Sequence, residues 1–264
     1  MSRVVHPAVL LAFLALAATP GQPRAQAQAD PERLATLLER AANYCRKLDR
    51  AALDFICFEE VKELADRHLR RFDTFLYDYQ FVRKKDDVKE DRKLVAVDGR
   101  KAPRALPPVQ PAAFRYRNVL FGPIGLLSEH WQSFHVYRIV GAETLFGEKT
   151  VVVEATPLPK THESHPYGRI WVRETDGSVL KIVWDQASLG NFAEIAEWAA
   201  ANEAEPMITA YSEYRFEKNR LRFPSRSYTR QAYIRKDGSK FVNAELSVVY
   251  KDYKFFTVET EVAY

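Results

Sequence analysis

The chain has 264 residues, 47% hydrophobic and 28% charged, with 10 Gly, 14 Pro and 2 Cys. That mixture excludes a disordered, collagen-like or disulfide-dense chain, and the length allows a sizeable core without covalent staples. The 16 Phe, 13 Tyr and 4 Trp against 2 Met favour strands, whose pleated, half-buried surface suits flat rings, and the formal net charge is only +4.

Arg3 and His6 precede an unbroken apolar run from Ala8 to Ala18, then Thr19, Pro20 and the alternating small residues Ala25, Ala27 and Ala29. This is the pattern of a secretory signal peptide over residues 1–29, cleaved near Ala27 or Ala29. The run of eleven residues is short of the roughly 20 that span a bilayer. No later segment is longer, and no cysteine precedes Cys45 to carry a lipid. An exported, soluble chain with no transmembrane segment is therefore expected, folding as one domain over residues 30–264. Loss of residues 1–29 removes Arg3 and Arg24 and no acid, which leaves 37 basic residues against 35 acidic.

Asp30 reads as an N-cap with Pro31 at the first helical position, and Leu34, Leu37, Leu38, Ala41, Cys45 and Leu48 recur at helical spacing. The predicted helix ends near Ala52 with Cys45 on its apolar face. A chain that reverses there brings Cys57 within reach. In an oxidising compartment the pair reads as a disulfide clip holding the helix to the first strand, the alternative being two buried thiols. Two cysteines twelve residues apart match neither a metal-ligand pair nor a CxxC motif.

Strands follow. From Thr74 to Lys85, Phe75, Tyr77, Tyr79 and Phe81 share one face and Asp78 and Gln80 the other, and Val88 to Val97 is the hairpin partner, closed by Asp98-Gly99. Pro103, Pro107, Pro108 and Pro111 make residues 101–113 a surface loop or lid, since proline cannot pair in a central strand. A short, partly helical piece ends near Trp131. Phe134–Thr144 pairs with Thr150–Ala155, and Tyr167–Glu174 with Ser178–Asp185, as two hairpins. Asn191 caps a short helix carrying Phe192, Ile195, Ala196 and Ala199. Long strands over Met207–Glu217, Leu221–Arg235, Lys240–Tyr250 and Phe255–Val262 finish the chain. The fold class is thus mainly β (α+β): a curled antiparallel sheet of about 10–11 strands forming an unclosed half-barrel, with an N-terminal helix and short lid helices. So many twisted strands in one sheet tend to curl.

Catalytic signatures are absent. There is no GxSxG elbow, HExxH, Walker loop or GxGxxG, and Glu59 and Glu60, as strand neighbours, point to opposite faces and cannot act together. No enzyme activity, catalytic residue, cofactor or metal is expected. His162-Glu163-Ser164-His165 has metal-ligand residue types, but its spacing favours a polar hairpin loop, and His130 and His135 flank Trp131 as packing residues. Arg220, Arg222, Arg226, Arg230 and Arg235, interleaved with Tyr228 and Tyr233, form a solvated outer face beside Glu213, Glu217 and Glu245, with anionic lipid headgroups as the other reading. Export argues against nucleic acid.

The inward positions are apolar. Phe75, Tyr77, Tyr79 and Phe81 can join Leu180, Ile182, Trp184, Leu246, Val248 and Tyr250 in one concave lining, either filled by the chain's own helices or left partly open for a ligand.

Four segments carry a likeness: Tyr167–Arg173 (YGRIWVR), Ser178–Asp185 (SVLKIVWD), Arg222–Arg226 (RFPSR) and Tyr250–Phe256 (YKDYKFF). Together they resemble the LolA-like outer-membrane lipoprotein-sorting family, over about Thr150 to Tyr264. The resemblance implies an unclosed antiparallel barrel with a helical lid, whose lining residues hold a lipid or the acyl chains of a lipoprotein during transport across the periplasm. It also implies an outer- or inner-membrane partner protein. The alternative on the same fold is a periplasmic interaction or sensor module with a self-filled cavity.

Overall fold

A computed structural model describes residues 31–51, 54–64, 73–84, 87–102, 119–159 and 165–256. The signal segment, the prolines from Pro103 to Pro111, His162 and Glu163, and the stretch from Thr257 to Val262 lie outside the described residues. No described helix is long and apolar enough to cross a membrane.

Helix α1 (Pro31–Arg50) forms where its sequence repeats apolar residues at three- and four-residue intervals. It buries Leu37, Ala41, Tyr44, Cys45 and Leu48 in one stripe. Glu32 in its first turn and Lys47 and Arg50 in its last suit the helix dipole. Strands β1 (Asp54–Leu64), β2 (Asp73–Lys84), β3 (Asp87–Val97) and β4 (Arg100–Lys101) form a meander. Its last turn is Asp98-Gly99, both at positive φ, which matches the twist of the flanking strands. A 3₁₀ turn (Val119–Phe121) and the short helices α2 (Ile124–Leu127) and α3 (Glu129–Gln132) lead to β5 (His135–Leu145), β6 (Glu148–Pro157), β7 (Gly168–Arg173) and β8 (Val179–Trp184). A second 3₁₀ turn and α4 (Phe192–Ala201) precede β9 (Ala204–Glu213), the small hairpin β10 (Phe216–Lys218) and β11 (Leu221–Phe223), then β12 (Arg226–Arg235) and β13 (Lys240–Phe256).

Eleven strands make one sheet in the order β4-β3-β2-β1-β13-β12-β9-β8-β7-β6-β5, all neighbours antiparallel. The last strand pairs with the first, with Val61 opposite Val248, and so joins the N-terminal meander to the C-terminal one. The ends β4 and β5 do not pair, so the barrel is unclosed as expected. The main core lies on the inner face, under α1 and the Leu120–Leu127 turn. A smaller cluster of Ile195, Ala199, Ile208 and Tyr233 seats α4.

Three local expectations are corrected. Met207–Glu217 is not one strand and neither is Leu221–Arg235. The ladder breaks at Tyr214-Arg215 and at Pro224-Ser225, where proline offers no N–H, and the intervening residues leave the sheet as the β10–β11 hairpin. In contrast, Lys240–Tyr250 runs on to Phe256, because Asp252 adopts a positive φ of 58° at a bulge and pairing with β1 resumes beyond it.

The disulfide is also corrected: Cys45 and Cys57 are both free, buried thiols. The helix lies across the inner face so that the Cys45 thiol donates to the Pro123 carbonyl at 3.4 Å, whereas Cys57 turns to Tyr253. Burial pushes the Cys45 thiol up to about 12, aided by Asp49, and Cys57 rises by burial as well. Reductant is therefore expected to leave the melting temperature unchanged, and two thiols should alkylate only after denaturation. A native disulfide would contribute roughly 2–4 kcal/mol, so a clear drop with dithiothreitol would contradict the free thiols.

Candidate functional site

The strand period decides what faces inward. On β1 the buried positions are Phe55, Cys57, Glu59, Val61 and Glu63, and on β2 Phe75, Tyr77, Tyr79 and Phe81. Phe55 stacks on Phe81 at 5.0 Å between ring centroids and meets Tyr79 edge-on at 5.9 Å, while Tyr79 meets Tyr250 of β13 at 6.2 Å. Leu246, Val248 and Tyr250 continue the lining, and Ile182 joins it from β8. Nine of the ten positions singled out from the sequence are buried, and Trp184 is half-buried against the same core. Leu180 is fully buried but belongs to neither apolar cluster, its carbonyl accepting from the Tyr214 N–H at 2.8 Å.

The concave face is covered. Leu37, Tyr44 and Leu48 of α1 and Leu120, Leu126 and Leu127 from the short helical turn complete the same cluster. Gln132 of α3 donates to the carbonyls of Leu38 (2.9 Å) and Leu127 (2.8 Å), tying the two covers together. Among the described residues a void of about 10 Å³ lies between Leu48, Phe81, Phe121, Leu221 and Phe223. That is about enough for one water and far below the ~300 Å³ of a small-molecule pocket.

One feature of the lining was not anticipated. Glu59 is wholly buried and receives a bidentate grip from Arg92 of β3, at 2.7 Å from Nε and 3.2 Å from Nη2. Arg92 also donates to Glu90 at 3.1 Å and lies 4.5 Å over the Tyr79 ring, while the Tyr79 hydroxyl donates to Glu90 at 3.0 Å. Burial pushes the Glu59 carboxyl up, opposed by the Arg92 charge and by hydrogen bonds from Arg92 and Tyr250. Glu60 points outward to Lys251 at 2.8 Å, so the two carboxylates are on opposite faces as the period requires. Arg92 reaches Glu59 from the same face of β3 as Glu90 and Leu94.

The expected outer arginine face loses Arg222, which lies on β11, is 2% exposed and binds Glu148 (2.7 Å) and Glu217 (3.1 Å). Arg226 and Arg230 do lie on β12 opposite Glu213 and Glu245. His165 is buried edge-on to His135, centroids 4.5 Å apart, and Trp131 packs on it at 5.0 Å. His130 is exposed and rests on Trp131 and Phe134. Among the described residues no group of three or more His, Cys, Asp or Glu side chains is arranged to hold a metal ion.

No protein-family model and no curated protein matches the chain. Among solved structures it is similar to an outer-membrane lipoprotein-sorting protein domain from Vibrio parahaemolyticus, at 13% identity over 85% of this chain and 94% of that one, with a TM-score of 0.43. It is similar to a DUF1329-family protein from Desulfovibrio piger, at 10% identity over 88% and 95%, TM-score 0.42. A LolA-superfamily protein from Nitrosomonas europaea matches at 10% identity over 85% and 96%, TM-score 0.31. At such identities and scores none of the three bears on activity or ligand.

Proposed function

We propose that the chain is a non-enzymatic, exported protein that binds a lipid or the acyl chains of a lipoprotein on the concave face of its half-barrel, for transport toward the outer membrane. The observation that carries this reading is the aromatic and aliphatic lining that β1, β2 and β13 share, interrupted on β1 by Glu59 and Glu63, under a cover that is separate from the sheet, formed by α1 and the Leu120–Leu127 turn. The described form is closed, so a chain enters by replacing α1. The three large side chains of its buried stripe, Leu37, Tyr44 and Leu48, represent about 6 kcal/mol at roughly 2 kcal/mol each, whereas the methylenes of a sixteen-carbon chain contribute about 0.8 kcal/mol apiece, some 11 kcal/mol in all. An eight-carbon chain supplies about half that and cannot compete.

Saturable binding of a fluorescent hexadecanoic acid is therefore expected, with octanoic acid weaker by a factor of at least ~100. Absence of uptake of the long chain, together with no lipid in the protein purified from its native compartment, would refute the proposal.

A second reading is favoured by one edge of the sheet. Among the described residues nothing pairs with the outer edge of strand β5, which is eleven residues long with Val136 and Val140 exposed. Such an edge can take an extended segment of a protein partner as an added strand. No fatty-acid uptake combined with a co-purified protein would favour this module.

A further inference from the structure

The ring cluster of the core does not stop at the barrel wall. From Phe55, which is 1% exposed, contacts run to Phe223 (5.7 Å), on to Phe255 (4.8 Å) and Tyr253 (5.8 Å), and from both to Phe216, stacked at 4.9 Å on Tyr253 and 5.9 Å on Phe255. Phe216 is 39% exposed on the small β10–β11 hairpin, outside the main sheet. The void bordered by Phe81 and Phe121 also touches Phe223. A ladder of rings thus connects solvent to the covered lining at this end of the barrel.

The charges around Phe216 are sorted. Alternation along β10 puts Phe216 and Lys218 on one side and Glu217 on the other. Glu217, about as exposed as Phe216, pairs with Arg222 (3.1 Å) and Arg173 (3.5 Å), which neutralises the one acid of the hairpin. Lys218 and Arg220 stand exposed at the turn. An exposed ring flanked by solvated cations matches the boundary of a bilayer carrying negative headgroups, where the ring enters the acyl edge and the cations meet phosphates.

We infer that the β10–β11 hairpin is a docking tip for a membrane surface of anionic lipid, and that the ring ladder behind it is the portal to the concave face. The portal rests on the acyl-chain reading above. Docking alone does not. Charge complementarity selects lipid over a protein partner, because the presented groups are one ring and two like charges, the acid of the hairpin being paired with arginines.

The full chain would be sedimented with vesicles of phosphatidylglycerol and phosphatidylethanolamine, and with vesicles of phosphatidylcholine alone. Binding to the anionic vesicles is expected to be roughly tenfold or more tighter, and to weaken by a similar factor in high salt. Lys218→Gln with Arg220→Asn should lose roughly tenfold, Asn tolerating the positive φ of 60° at position 220. Phe216→Ser should slow transfer of a fluorescent fatty acid out of vesicles by a larger factor than it slows uptake from solution. Both variants change exposed positions, and a thermal melt like that of the parent would show them folded. Equal binding to both vesicle types, or undiminished binding by the charge variant, would overturn docking even if uptake from solution persists. Anionic-vesicle binding that the variants lose, without any uptake from solution, would instead uphold docking and remove the acyl-chain reading.

Discussion

Arg92→Met is expected to cost about 3–5 kcal/mol of folding stability at neutral pH, with a deficit that shrinks as the solution is acidified. The Arg92 side chain is only 19% exposed and its carboxylate partner Glu59 not at all, so removing the guanidinium strands a buried charge. The sign of the pH effect follows from the direction of the Glu59 shift. Burial already holds its folded pKa above the ordinary 4.5, so the folded state binds that proton more tightly than the unfolded state. The stability linked to this group is fully present below the unfolded value and is lost as pH rises through the folded one. Without Arg92 the largest opposing influence disappears, the folded value rises further, and the loss at high pH grows. Urea unfolding at pH 5 and pH 8 would test this, with the larger deficit expected at pH 8. Pairing the change with Glu59→Gln should recover more than half of it, because no charge is then left buried. Equal deficits at the two pH values, or no recovery in the double variant, would show that Arg92 contributes mainly through its packing on Tyr79.

The parts of this site that the sequence shows are those with a short period. The alternation from Phe75 to Phe81 assigns β2 its inner face, and the three- and four-residue spacing from Leu37 to Leu48 assigns α1 its buried stripe, because both patterns are local and repeated. The parts it hides depend on where distant segments meet. Glu59 and Arg92 are 33 residues apart, and their contact depends on the β1–β2 and β2–β3 registers together, with a shift at Leu76/Tyr77. Cys45 and Cys57 looked pairable from chain reach alone. Reach bounds a distance but not the direction in which a helix lies across a sheet, and that direction sends one sulfur to Pro123 and the other to Tyr253. The β10–β11 hairpin was masked by its own composition. Met207–Arg235 reads as strand almost throughout, and only Pro224 among its residues lacks the N–H that a central ladder needs.

Whether the concave face works as a binding site turns on how firmly α1 is seated, and one glycine reports on that. Gly177→Ala is expected to destabilise the protein by about 2–4 kcal/mol and, if α1 is the lid, to raise long-chain fatty-acid binding several-fold. Gly177 lies in the β7–β8 turn at φ +75°, and a Cβ built there would stand 2.3 Å from the Arg40 carbonyl carbon and 2.4 Å from the Ala41 nitrogen. Those are backbone atoms of α1, so no rotamer change relieves the overlap and the helix itself has to move. Near this contact, Arg33 and Arg40 of α1 hold Glu174 of the same turn, at 2.6 Å to its carboxylate and 2.7 Å to its carbonyl. Displacement at Ala41 would loosen the buried stripe on both sides of it, lowering the term that an entering acyl chain has to exceed. Gly99→Ala separates the causes, since Gly99 has nearly the same φ, +74°, with nothing within 4 Å of the added carbon. Its cost should be that of the left-handed backbone alone, roughly 1–2 kcal/mol, with fatty-acid binding unchanged. If Gly177→Ala loses stability beyond Gly99→Ala yet binds no more hexadecanoic acid, α1 is a fixed part of the core, and the concave face is filled by its own helix and closed to cargo.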